Sequence, residues 1–309
     1  MSELSDAVQS LVDVFWGPAP IDTVQELFGA DWLRLFEAIT LLGEPVTVVT
    51  AAAIVLWTRD RGAAYGVLAV VALVTFVNPV LKDLVGLPRP DDPSIVVWHD
   101  ATQESFPSGH SATAATLWGS LAVLGYLPAA AAAIIIGSVM LSRMYLGVHF
   151  LGDVIGGALL GIALAAAFRR LWPAIVRLFS GQPFEFFLAL GIAIPLFAWA
   201  TTGLTSLEVE LLGMIVGVGI GMPVERRFVG FAPSSSSGRQ TALKVTLGLS
   251  GLAVLLLLGS LLDESAPVLT VIVFALAALW VVLFAPAIFV WSGLAGRERS
   301  SLADDRIGA

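Results

Sequence analysis

The sequence predicts an all-α fold, a polytopic transmembrane helical bundle, and three observations predict it. Of 309 residues, 57% are hydrophobic and 13% charged, against roughly 45–50% and about 25% in soluble domains. The mean hydropathy is +0.90. The apolar residues come in long unbroken runs, not in the short alternating segments of an outer-membrane barrel. Disorder, collagen and coiled coil are excluded by the same composition. The absence of cysteine excludes disulfides, thiol nucleophiles and Cys-based zinc sites. A net charge of −8 argues against a nucleic-acid partner.

Residues 1–34 are acidic and lack the basic start and apolar run of a cleavable signal peptide. Leu4, Val8, Leu11, Val12 and Phe15 suit an amphipathic helix on the membrane surface, or equally a small helix packed on the bundle. About 20 apolar residues of helix cross ~30 Å of hydrocarbon. Nine stretches meet that length, at about 35–57, 62–81, 109–126, 129–147, 149–171, 184–204, 207–223, 245–262 and 267–291. The first five form an expected core, residues 35–175. The last four form an expected C-terminal extension, residues 184–294, followed by a tail, residues 295–309. Polar breaks fall at residues 82–108 and 225–244, the second with a Ser234–Ser237 tract.

Orientation follows from the basic residues. With the N-terminus outside, the inner side holds Arg59, Arg61, Arg169, Arg170, Arg177, Arg226, Arg227, Arg239, Lys244, Arg297, Arg299 and Arg306. The outer side keeps only Arg34, Lys82, Arg89 and Arg143, and it includes the acidic turn Asp263–Glu264. This bias sets the C-terminus in the cytoplasm of a multi-pass cell-membrane protein. The outer exceptions are informative, because Lys82, Arg89 and Arg143 fall in the segments that also hold every histidine.

Those segments carry three clusters: Lys82 to Pro90, Pro107-Ser108-Gly109-His110, and Ser142-Arg143 followed by His149 and Asp153. All fall at outer helix ends, so one membrane face can gather them. Lys82, Arg89 and Arg143 supply cations for phosphate oxygens, the guanidiniums in bidentate fashion. Ser108 and Gly109 precede a helix starting near His110, whose free N–H groups suit an anion. His149 and Asp153, four apart, share a helix face. The carboxylate can hold the imidazole tautomer, and the other ring nitrogen is then free to attack phosphorus. His110 can donate a proton to the leaving oxygen. Two histidines, one carboxylate and three cations suffice for phosphoryl transfer, so neither a cofactor nor a metal is expected.

The pattern Lys-x6-Arg-Pro, Pro-Ser-Gly-His, Ser-Arg-x5-His-x3-Asp resembles the type-2 phosphatidic acid phosphatase superfamily. That superfamily includes membrane lipid phosphatases, glucose-6-phosphatase, soluble bacterial acid phosphatases and vanadium haloperoxidases. All three motifs match in order and spacing over residues 35–175. The resemblance implies that Lys82, Arg89, Ser108, Gly109 and Arg143 bind the phosphoryl group. It implies that His149 forms a phosphohistidine, that Asp153 orients it, and that His110 is first acid and then base. Ser142 belongs to the motif with a structural role. Membrane members often have six core helices where five are read here, and residues 184–291 exceed the core.

The implied function is a metal-independent, integral-membrane phosphatase of a lipid-linked phosphate monoester or diphosphate. The candidates are polyprenyl (di)phosphate, phosphatidic acid and phosphatidylglycerol phosphate. Its partners are then the lipid substrate and the bilayer; no oligomeric state is read. One alternative is a phosphotransferase with an alcohol acceptor. Another is a non-catalytic transporter or lipid-binding scaffold, which an internal repeat would support. Haloperoxidase activity suits these membrane loops less well. His99 reads as a solvated loop residue. Asp91, Asp92, Asp100 and Glu104 read as a solvated acidic loop, with a divalent-ion site as the alternative. Glu37 and Glu44 read equally as functional or as headgroup-level residues. Trp16, Trp32, Trp57, Trp98, Trp172 and Trp291 read as an interfacial belt. Gly152-x3-Gly156, Gly157-x3-Gly161 and Gly213-x3-Gly217-x3-Gly221 read as packing stripes.

Overall fold

The computed structural model describes residues 2–99, 104–179, 182–202, 206–233, 237–262 and 266–298. The chain divides into two compact units, Met1–Ala52 with Tyr65–Val176, and Ala53–Ala64 with Arg177–Ala309.

The first unit is built from α1 (Ser2–Trp16), α2 (Ala19–Phe28), α3 (Leu33–Thr40), α6 (Gly109–Val123) and α7 (Ala129–Tyr145), with most of α4 (Pro45–Thr58), α5 (Arg61–Val85) and α8 (Leu151–Phe179). The expected first span, 35–57, is not one helix. A 3-10 turn at Leu41–Gly43 separates α3 from α4, and the two halves meet at 55°. Pro45 is the cause. It has no N–H to continue a helical ladder, and it drives Glu44 to extended backbone, φ −97 and ψ 159.

The count of about nine spans is not reached by length and composition. Among the described residues, α5, α8, α11 and the α12–α13 run are long and apolar enough to cross a membrane. The bent α3–α4 pair makes a fifth. At 15 and 17 residues, α6 and α7 fall short of the ~20 that a full crossing takes. The 203–205 connection between α9 and α10 lies outside the described residues.

Residues from α2 pack on the bundle. Ile21 is fully buried with Ile95, Met144 and Val154, and Phe36 of α3 stacks on Tyr145 at 4.0 Å. Leu11, Val12 and Val14 of α1 stay exposed, an apolar edge suited to lipid. Small residues bring α8 onto α6. A Cβ at Gly157 would lie 2.3 Å from the Ser108 carbonyl oxygen, and one at Gly161 would lie 2.4 Å from that of Ala112. The stripe is an internal packing surface.

The second unit contains α9 (Phe184–Thr202), α10 (Ser206–Val224), α11 (Gly238–Ser260), α12 (Pro267–Leu279) and α13 (Ala285–Trp291). A short ladder pairs β1 (Phe231–Ala232) with β2 (Gly296–Arg297). Gly213 and Gly217 of α10 lie against the backbone of α12, so this stripe also packs internally. A π-helical turn at Trp280–Phe284 joins α12 to α13. Pro286 follows two residues after its end, and the N–H it lacks accounts for the local loosening. Ser237, the last residue of the expected serine tract, caps α11 reciprocally with Gln240; residues 234–236 lie outside the described residues.

This unit takes in the end of α4, the turn after it and the start of α5, residues 53–64. Trp57 is fully buried there, not interfacial. Its Nε1 donates to the Val281 carbonyl at 2.9 Å, and its ring stands edge-on to Phe289. Gly248 makes room for the indole, since a Cβ there would sit 2.4 Å from it. Lys244, also fully buried, donates to the carbonyls of Trp57 and Pro233. Arg61 Nη1 donates to both carboxylate oxygens of buried Glu225, at 2.9 and 2.8 Å. Trp57→Ala should therefore destabilise the protein by about 3–5 kcal/mol through cavity and hydrogen-bond loss. A thermal or denaturant melt in detergent checks this, and an unchanged midpoint would contradict the socket.

Candidate active site

Local sequence explains how each side chain is placed. Lys82 rides the last turn of α5. Ser108, in extended backbone at φ −64 and ψ 118, stops the 104–108 loop and starts α6 at Gly109. Arg143 ends α7. The chain then reverses through Gly147, whose φ of 72 puts it in the left-handed region. A Cβ at Gly147 would lie 2.4 Å from the Val96 carbonyl oxygen, so the turn holding His149 needs glycine.

The structure brings the sequence-predicted residues together within the first unit. His149 is 2% exposed and Asp153 fully buried. His149 Nδ1 stands 3.5 Å from Asp153 Oδ2 and 3.3 Å from Ser105 Oγ. On the other side of the ring, Nε2 lies 3.4 Å from Arg89 Nη1. This arrangement favours the tautomer with its proton on Nδ1, leaving the Nε2 lone pair among the cations. Burial pushes the His149 imidazole down to about 3, against the opposing pull of Asp153. Arg89 also donates to the Val148 carbonyl at 2.8 Å, and burial lowers its pKa. Arg143 is buried, and its Nη1 donates to Thr40 Oγ1 at 2.9 Å. Its buried Nε has no hydrogen-bond partner among the described residues. Such a donor suits a ligand oxygen.

Lys82 also has a structural partner set. Its ammonium donates to the carbonyls of Glu104 and Ser105, bracing the loop that leads into Ser108. Asn78 supports the same loop by donating to the Pro107 carbonyl at 3.1 Å. Ser108 N donates to the Asp153 carbonyl at 3.0 Å, and Ser111 donates to Ser108 Oγ at 3.2 Å. Ser142 turns away, its hydroxyl donating to the Val139 carbonyl at 2.7 Å.

Some groups around the site, Ser105 and Thr40 among them, were not singled out from sequence, and others were read without a place in the site. Ser105 donates to Asp153 Oδ2, and Phe150 N donates to the same oxygen at 2.8 Å. Trp16, expected in an interfacial belt, donates from Nε1 to Asp153 Oδ1 at 3.3 Å. Thr40 holds Arg143 as described. Glu44, read two ways from sequence, lies 3.5 Å from His110 Nε2. His99 is partly exposed, with its Nε2 3.6 Å from Glu37. Asp92 accepts from the backbone and hydroxyl of Ser94. Among the described residues no group of three His, Asp or Glu is arranged for a metal, and Asp100 lies outside them.

The state of His149 sets a pH dependence. The unfolded imidazole protonates near 6.5 and the folded one only near 3. Between those values the unfolded chain binds the extra proton, so stability falls as pH falls through this window. His149→Gln should show a shallower loss of thermal midpoint from pH 6.5 to 4 than wild type. Identical slopes would contradict the buried neutral imidazole.

Comparison with known proteins bears on the family of the chain. Residues 63–177 match the PAP2 superfamily, and residues 209–297 match the PAP2 superfamily phosphatase, transmembrane extension. The helices beyond the core are thus a feature described for the superfamily. Sphingosine-1-phosphate phosphatase 2 of Mus musculus is 28% identical over 162 residues, covering 48% of this chain and 45% of that protein. Phosphatidylglycerophosphatase B of Bacillus subtilis is 38% identical over 101 residues, covering 28% of this chain and 47% of that protein. The chain thus spans just under half the length of these curated relatives. It is also similar to the crystal structure of a transmembrane PAP2 type phosphatidylglycerolphosphate phosphatase from Bacillus subtilis, with 29% identity, TM-score 0.45, 55% of this chain and 88% of that chain. The chain belongs to the PAP2 superfamily, with a core domain and the superfamily's phosphatase transmembrane extension.

Proposed function

We propose that the protein is an integral-membrane lipid-phosphate phosphatase that works through a phosphohistidine. The observation that carries this reading is the neutral, buried His149, held at Nδ1 by Asp153 and turned at Nε2 toward Arg89. The phosphoryl group would lie between Arg89, Arg143 and the N-terminus of α6. His149 Nε2 forms the N–P bond as the ester P–O bond breaks, and His110 gives its proton to the departing oxygen. Water then attacks phosphorus, His110 takes its proton, and the N–P bond breaks to release phosphate. The cations and the helix N-terminus stabilise charge that grows on the phosphoryl oxygens. Lys82 acts mainly by holding the loop of Ser108.

The names of the relatives, a phosphatase of sphingosine-1-phosphate and a phosphatidylglycerophosphatase, favour a lipid phosphate substrate for this chain. The positive-inside bias supports an outward-facing site with the C-terminus in the cytoplasm. In this arrangement α6, α7, α9 and α10 join the long helices to complete nine crossings. The domain division proposed is an N-terminal segment 1–34, a core 35–175, an extension 184–294 and a tail 295–309. The test is release of inorganic phosphate from phosphatidic acid, phosphatidylglycerol phosphate and polyprenyl diphosphate by purified protein in detergent with EDTA. Release is expected from at least one of the three. No release from any would contradict the reading.

A further inference from the structure

We propose that Glu44 is the positioning residue of His110, so that each histidine of the site has its own carboxylate: Asp153 for His149 and Glu44 for His110. The inference rests on the phosphatase reading above and goes beyond it, because Glu44 lies outside the segment that matches the superfamily core.

The geometry is built, not incidental. Glu44 Oε1 stands 3.5 Å from His110 Nε2, and both side chains are about one-third exposed, at 34% and 30%. That is the distance of an open pair, of the kind that tightens when a substrate is bound. Glu44 is placed by the break in the first span. Pro45 forces its extended backbone. The preceding turn is fixed against α6 and within itself, as Trp118 Nε1 donates to the Leu42 carbonyl at 2.9 Å and Thr47 donates to that of Leu41 at 2.7 Å. Gly43 lets the turn reach the start of α6, since a Cβ there would lie 2.7 Å from the His110 carbonyl oxygen. The continuous helix expected from sequence would not place a carboxylate in this way. The pairing also assigns the ring atoms. With Nε2 facing Glu44, the proton for the leaving oxygen is carried on Nδ1, and the carboxylate stabilises the imidazolium that must be present before the P–O bond breaks.

The charged groups facing His110 are Glu44 from the α3–α4 break, Arg143 from α7 and Arg89 from the loop after α5, with His99 beyond Glu44. The two guanidiniums oppose the imidazolium and Glu44 supports it. Glu44→Gln keeps the shape and removes the charge.

The experiment compares dioctanoyl phosphatidic acid, whose alkoxide needs a proton to leave, with p-nitrophenyl phosphate, whose phenolate does not. Glu44→Gln should lower kcat on the lipid about 10²-fold and on the aryl ester only a few-fold, in line with the usual worth of general acid catalysis. The alkaline limb of kcat on the lipid should also move to lower pH. A purely structural role would lower both substrates alike. Equal loss on both, or no loss on either, would overturn the assignment. Wild type that releases phosphate from none of the three lipids named above would instead overturn the phosphatase reading on which it rests.

Discussion

Replacing His149 by alanine is expected to abolish phosphate release, by about 10⁴-fold or more, because no other group can take its place. Its Nε2 is the ring nitrogen aimed among the cations, and burial keeps it unprotonated at working pH. In the proposed mechanism His110, 3.5 Å from Glu44, is the proton carrier, so it does not replace His149 as nucleophile. The loss should appear in kcat, with the lipid still bound by Arg89 and Arg143. Assay with EDTA separates this chemistry from metal-assisted hydrolysis by a contaminant. Full activity in the variant would sink the mechanism.

Asp153→Asn is expected to be nearly as damaging, about 10³–10⁴-fold in kcat, although it changes no shape. The carboxylate accepts from Trp16, Ser105 and the Phe150 N–H, and faces His149 Nδ1. An amide in that place brings its own N–H₂ against these donors. If it donates to Nδ1, the imidazole keeps its proton on Nε2 and the attacking lone pair is gone. If it turns the other way, its amide meets Trp16 as donor against donor, and the stabilisation of the imidazolium is still lost. Phosphate release with retained binding of a non-hydrolysable phosphonate lipid distinguishes this from misfolding. A loss of less than about tenfold would contradict an orienting role for Asp153.

The grouping of the candidate site residues was legible because it is written at short spacing. His149 and Asp153 share one helix start, Ser108 to His110 share another, and Arg143 ends the helix that leads into the His149 turn. Motif spacing fixes such neighbours before any tertiary contact is known. The supporting groups were not legible, because distant segments bring them in. Trp16 is 137 residues from Asp153, and Thr40 is 103 from Arg143. Their residue types fit a membrane belt or a helix interior equally well. Ser105 lay beside the second motif, and its position three residues before Ser108 was the available signal. The broken first span shows how summed hydropathy misleads. The apolar run around Gly43-Glu44-Pro45 was long enough to cross, yet one proline and one acid divide it and turn the break toward the site. Trp57 failed the interfacial reading for a related reason. A tryptophan near a helix end looks interfacial in sequence, and only the fold of the second unit shows the socket that buries it.

The central claim is the covalent intermediate on His149. Its most direct test is to mix the purified protein with phosphatidic acid carrying labelled phosphate, quench within the turnover time in alkaline detergent, and map the label by mass spectrometry. The account predicts acid-labile, alkali-stable label on His149, absent from His149→Ala and enhanced in His110→Ala when p-nitrophenyl phosphate supplies the phosphoryl group. Wild-type turnover with no protein-bound phosphate under these conditions, or label on a residue other than His149, would contradict it.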